Sequence, residues 1–325
     1  MRPELAARAA RQGGVVTRGD ALECGYDEAE VRRLTRPDAE WHVVRRGAYV
    51  PAESWSGWTE DERYVALVRA SLLHAAPDAL ASHQSAAALH GMPLRPRWRG
   101  EVHLTRPGVQ GTRRQSGSTV HPASVPEQDD VLVDGFRTTS LARTALDVAR
   151  GRGHEDGVIA SDAALRLGAT HADLDRILTS MWSWPGVKAA RAAVADADGG
   201  SAGIGESLTR LVVAGLGFGV PETQYKITDG FRTAYADLRL GWHLFEFDGR
   251  VKYVGREHGG LASVSAEQVV WDEKQREDWL RSLGYGISRV VWADLYGAAL
   301  LRTRVRLVRE VEATLARTRS LRLGA

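Results

Sequence analysis

A chain of 325 residues is long for one domain and comfortable for two or three. With 43% hydrophobic and 26% charged residues it has the composition of a soluble globular protein, and a formal net charge of +2 makes no case for nucleic acid by itself. No apolar run is long enough to span a membrane, MRPELAARAARQ is charged and helical rather than signal-like, and the single Cys24 excludes an internal disulfide framework or a cysteine-based zinc site. These features point to a cytoplasmic protein with no membrane partner. The 43 basic residues include only four lysines, Lys188, Lys226, Lys252 and Lys274, and therefore 39 arginines. Such a bias reflects a GC-rich genome and gives the arginines little functional weight. A retained lysine says more, because an ammonium is a compact point charge that guanidinium does not imitate.

In chain order, Arg2–Arg11 reads as a helix with Leu5 and Ala9 inward, broken at Gly13-Gly14. Thr17 is an N-cap for Arg18–Cys24, Gly25 ends that helix, and Asp27 caps Glu28–Thr35, where Val31 and Leu34 have core spacing. Arg32, Arg33 and Arg36 project from the other side. Two β runs in Trp41–Val50 meet at Arg46-Gly47, with Arg45 beside the turn. Three helices and a β-hairpin over residues 1–52 predict a winged helix-turn-helix, with Glu28–Arg36 in the recognition position and these five arginines toward DNA. A scaffold for protein contacts uses the same elements.

The stretch GGVVTRGDALECGYDEAEVRRLTR…WHVVRRGAYVP resembles the N-terminal domain of the type IV (abortive-infection) antitoxin family. LASHQSAAALHGMPL, VHLTRPG and GFRTTSLARTALDVAR are similar to the second domain of the same proteins. The resemblance implies DNA binding and a toxin or defence-system partner. From the residues alone, Ser82–Gly91 is a small-residue helix, Val102–Thr105 a strand, and Thr138-Thr139-Ser140 a cap for Leu141–Ala149. His83, Ser85 and His90 on the small-residue helix suggest close packing before catalysis. Residues 153–193 read as a helical connector that completes an α/β middle region over 53–196, and DADGGSAGI marks a domain boundary.

Beyond it, Gly205-Glu206-Ser207 opens a helix with Leu208, Leu211, Val212 and Leu216 on one face. Two strands flank Asp229-Gly230. A third, His243–Asp248, alternates so that Leu244, Glu246 and Asp248 share one face and Phe245 and Phe247 the other. Asp237 and Glu246 crowd carboxylates among residues that are to be buried, and a divalent cation is one of few partners that favours such a cluster. A Gly-rich loop at 255–260, a helix Ser265–Leu283 and a strand Gly286–Trp292 follow. Ala299–Leu321 reads as a basic amphipathic helix, with Leu301, Val305, Val308 and Leu315 apolar, suited to DNA or to a partner.

GES…PETQ…ADLRL…FEFDGRVKY…EKQREDWLRSLGYGISRVVW, over 204–295 of a domain read as 204–298, resembles the very-short-patch-repair-like branch of the PD-(D/E)xK nucleases, which belong to the restriction-endonuclease-like superfamily. The resemblance implies an αβββαβ domain and Mg2+- or Mn2+-dependent cleavage of DNA, with Asp237, Glu246 and Asp248 as metal ligands and Glu206 as an added catalytic acid. The family's lysine position, two residues after the second acid, holds Asp248 here. Lys252 supplies the ammonium from a displaced position if the strand runs on. Lys274 and Arg276 on the following helix would meet the phosphate backbone, or else pair with nearby acids. The expected whole is a multi-domain α/β (α+β) protein of open oligomeric state, a homodimer included.

Overall fold

A computed structural model describes residues 1–93, 95–98, 100–115, 117–249 and 266–323. The chain is a mixed α/β protein of two compact units, Met1–Ala195 and Asp196–Ala325, divided where the Gly- and Ser-rich stretch begins.

The first unit begins with α1 (Pro3–Arg11), β1 (Val16–Thr17), α2 (Arg18–Glu23), α3 (Glu28–Leu34), β2 (Trp41–Arg45) and β3 (Ala48–Pro51). Both short helices start at reciprocal caps. Thr17 Oγ1 accepts from the Asp20 amide at 3.0 Å while the Asp20 carboxylate accepts from the Thr17 amide at 2.8 Å, and Asp27 and Glu30 repeat the exchange. Such caps hold helices of six and seven residues that propensity alone would not. Leu5, Val16, Val31, Leu34, Trp41 and Tyr49 close a core beneath a three-stranded sheet of order β1-β3-β2.

The unit continues with α4 (Ala52–Gly57), α5 (Glu60–Leu72), β4 (Leu80–Ala81), α6 (His83–Leu89), β5 (Val102–Arg106), β6 (Arg113–Gln115), β7 (Ser118–Pro122), β8 (Asp130–Val133) and β9 (Phe136–Thr139). Four helices complete it: α7 (Leu141–Arg152), α8 (His154–Arg166), α9 (His171–Ser180) and α10 (Val187–Ala195). The six strands run in the order β6-β7-β5-β4-β9-β8, with β5–β7 and β4–β9 parallel. The segment read as a helical connector is helical, and α8 to α10 pack as a layer against α7, with Leu174, Ile177, Met181 and Ala190 buried. Gly157 makes the approach possible, because a Cβ there would stand 2.6 Å from Ala149 Cβ and 2.8 Å from Ala193 Cβ.

The second unit contains α11 (Ile204–Ala214), β10 (Glu222–Thr228), β11 (Thr233–Leu240), β12 (His243–Asp248), α12 (Ala266–Ser282), β13 (Gly286–Val291) and α13 (Gly297–Leu323). Its four-stranded sheet has the order β10-β11-β12-β13, antiparallel except for the parallel pair β12–β13. The alternation read from His243–Asp248 holds in β12. Leu244 packs in a cluster with Leu280 of α12, while Phe247 lies against Gly205 of α11, where any Cβ would overlap its ring. Helix α13 packs on the sheet through a different face from the sequence reading. Thr303, Leu307, Val311 and Thr314 are buried, whereas Leu301 and Val305 are exposed. A hydrogen bond selects that face: His243, enclosed between strand and helix, meets Thr314 Oγ1 at 2.8 Å, and a hydroxyl satisfies it where leucine would leave it orphaned. Among the described residues, no helix is long and apolar enough to cross a membrane.

Candidate functional site

Strand β12 is interior to its sheet, and α12 crosses one face near its C-terminal end. The parallel register sets Glu246 beside Arg289, and Asp237 lies one residue before Leu238, which faces Phe245. These elements enclose a cleft of about 280 Å³ bordered by Tyr235, Asp237, Glu246, Phe247, Asp248, Glu273, Arg276 and Arg289. Three of the acids expected to act together, Asp237, Glu246 and Asp248, therefore converge.

The Asp237 carboxylate accepts from the Phe247 amide at 2.8 Å, tying the end of β11 to β12. The Glu246 side chain is only 13% exposed and pairs with Arg276 Nη1 at 2.7 Å. Burial raises the Glu246 carboxyl above its ordinary value; Arg276 opposes that rise, and the nearby charges of Glu273 and Asp237 add to it. Arg276 also donates to the Tyr235 carbonyl at 2.7 Å, and Arg289 pairs with Glu273 and Glu277, each at 2.9 Å. Four carboxylates and two guanidiniums border the cleft, leaving two formal negative charges among the described residues. A hard-oxygen donor set with surplus negative charge fits magnesium or manganese better than a softer ion. Asp237, Glu246 and Asp248 border this one cleft, but among the described residues their oxygens do not form a set of three all within 4.8 Å of one another.

Other candidates fall elsewhere. Glu206 accepts from the Ala202 amide at 2.8 Å and from Gln224 Nε2 at 3.4 Å, at the start of its own helix, and does not border the cleft. Lys252 and the 255–260 loop lie outside the described residues. Lys274 is exposed on α12. Arg276, read as a phosphate contact or a partner of helix acids, does pair with Glu273 of its own helix at 3.4 Å, and it is also the counter-ion of Glu246. In the first unit Arg32, Arg33 and Arg36 are exposed while Val31 and Leu34 are buried, and Arg46 is exposed at the β2–β3 turn. Arg45 turns inward: Nη1 donates to Ser71 Oγ of α5 at 2.6 Å, and burial lowers the guanidinium's pKa. Sequence reasoning missed Glu273 and Tyr235. Glu273 was legible, since Glu273, Arg276, Glu277 and buried Leu280 fall at i, i+3, i+4 and i+7 on one helix face.

No protein-family model matches the chain. Two uncharacterized proteins of Mycobacterium tuberculosis, MT2308 and Rv2248, are each 29% identical to it over 186 residues. The match covers 55% of this chain, which spans 64% of each relative's length. The crystal structure of the RV2827C protein from Mycobacterium tuberculosis aligns with 60% of this chain and 80% of its own, at a TM-score of 0.34 and 16% identity.

Proposed function

We propose that this protein is a divalent-metal-dependent DNA endonuclease that cuts or nicks phosphodiester bonds, with residues 1–52 acting as a winged helix-turn-helix that holds the DNA. The observation that carries the proposal is the convergence of Asp237, Glu246 and Asp248 in one negatively charged cleft. In the finer reading, residues 53–196 are an antitoxin-like α/β region and 204–298 a restriction-endonuclease-like αβββαβ domain. The order α11-β10-β11-β12-α12-β13, with its acids on the second and third strands, supports that assignment.

A magnesium or manganese ion bound here would supply Lewis-acid polarisation of the phosphate and a nucleophilic water near neutral pH. The chain's own groups do the rest. Asp237 and Glu246 provide the carboxylates, and the Phe247 amide orients the first of them. Arg276, which faces Glu246 in the cleft, would be placed to neutralise a phosphate oxygen, a task suited to its planar fork of donors. Exposed Arg32, Arg33, Arg36 and Arg46 bind backbone phosphates without regard to sequence. The setting is phage defence or DNA repair.

A second reading is a DNA-binding regulator of a toxin–antitoxin or defence locus, with a nuclease fold that only binds. Two observations favour it: Arg276 already stands as the counter-ion of Glu246, and an aspartate stands at the family's lysine position. Incubation of the purified chain with supercoiled plasmid and magnesium or manganese separates the readings. Nicking that disappears in Asp237→Ala supports the enzyme. Absence of nicking, or nicking that survives the substitution, excludes catalysis at this cleft and leaves the regulator.

A further inference from the structure

The first unit holds a second constellation, remote in sequence from the carboxylates and built from three histidines. His83 opens α6 just after β4, His103 lies on β5 and His121 on β7. The parallel pairing of β5 with β7 sets His103 opposite Thr119 and Thr105 opposite His121, so residues 103, 105, 119 and 121 share one face. The Ser82 amide donates to the His103 carbonyl at 3.0 Å, which brings the start of α6 onto the same spot. One ring nitrogen from each histidine lies within 4.8 Å of the others. His103 Nδ1 and His121 Nε2 are 3.0 Å apart, and the His83 ring stacks on His121 with centroids 4.0 Å apart.

Packing alone is a poor account of this arrangement. His83 takes a φ of +52°, a left-handed conformation that costs a non-glycine residue on the order of 1–3 kcal/mol. Ser82 Oγ stands 3.0 Å from His83 Nδ1, the kind of outer hydrogen bond that fixes a ligating imidazole, while His103 Nε2 is buried without a hydrogen-bond partner among the described residues, Glu101 Oε2 being 3.8 Å away. A cavity of about 340 Å³ is bordered by His83, His121 and Thr105, with Arg143, Asp147 and Arg150 of α7 along its wall. The Thr105 hydroxyl is buried and has no hydrogen-bond partner among the described residues.

We infer that His83, His103 and His121 form a binding site for a divalent transition metal of the zinc class, with a fourth position open to a solvent ligand in the cavity beside Thr105. Three imidazoles suit zinc, copper or nickel and not the magnesium or manganese expected at an all-oxygen site. Three protein ligands with an open fourth position is the pattern of reactive zinc centres rather than of closed structural ones. Thr105, otherwise an orphaned buried hydroxyl, gains a partner in the metal-bound water. The inference rests on the first unit alone and stands or falls separately from the proposed nuclease.

The test uses the full chain, free of any histidine tag and stripped with chelator, titrated with zinc chloride in a calorimeter and examined by X-ray absorption at the zinc edge. The expected result is one zinc per chain with imidazole scattering. Binding should persist in the Asp237→Ala/Glu246→Ala double variant and disappear in His103→Gln and His121→Gln. No uptake by the wild type, a shell of oxygen ligands without imidazole, or loss of binding only in the carboxylate double variant overturns the inference. If the histidine variants do not fold, the wild-type absorption spectrum decides by itself.

Discussion

Arg276→Gln removes the cation that Glu246 has in the folded protein and tests how the cleft is balanced. Breaking a fully buried ion pair from one side costs about 3–5 kcal/mol. Here the side chains are 28% and 13% exposed, so water recovers part of that cost, while the bond from Arg276 to the Tyr235 carbonyl is also weakened or lost. The net expectation is roughly 2 kcal/mol. It should be localised to the second unit, and it is measured by hydrogen exchange of β11 and β12 peptides across a urea series. Manganese should then stabilise the variant more than the wild type, because in the wild type the ion must first displace Arg276. Saturation at about 100 times the dissociation constant would return about 2.7 kcal/mol. A variant as stable as the wild type, or a manganese effect equal in both proteins, would refute the reasoning.

Other predictions concern fold and DNA. Gly286→Ala places a methyl group against Thr314 Oγ1 and His243 Nδ1, and overpacking of this kind costs about 1–3 kcal/mol, seen as a lowered thermal midpoint of the second unit. His243, buried between Thr314 and Ser288, has its pKa lowered by burial to about 4. An unfolded histidine binds its proton near 6.5, so its contribution is complete above that value. It is lost as the pH falls toward 4, by about 3 kcal/mol at most, and His243→Gln should flatten this acid limb in pH-dependent denaturation. Arg32→Ala and Arg33→Ala should each flatten the dependence of log DNA affinity on log salt by about one. Arg45→Ala, whose side chain turns to Ser71, should lower stability with little change in that slope.

Much of the framework was legible because local chemistry announces it. Thr17, Asp27 and Ser140 are caps in the sequence and in the fold, each with its hydrogen bond three residues on. The meeting of Asp237 with Glu246 followed from two adjacent antiparallel strands. What remained hidden depends on which neighbour an element finds. Helix α13 offers apolar positions on more than one face, and the choice of Thr303, Leu307, Val311 and Thr314 follows from His243, 71 residues away from Thr314. Arg276 reads equally as a phosphate contact, and only the packing of α12 over β12 turns it onto Glu246. The three histidines have no ligand spacing at all. Their meeting depends on β5 pairing in parallel with β7, with β6 on the far side of β7, a topology that periodicity does not reveal.

The central claim is that Asp237 and Glu246 are carboxylates of a metal centre. A crystal soaked in manganese and measured for anomalous scattering tests it most directly. The prediction is a single manganese peak within coordinating distance of Asp237 and Glu246, with the Arg276 guanidinium moved off Glu246. A soaked crystal with no peak in this cleft and the Arg276–Glu246 pair intact would contradict it.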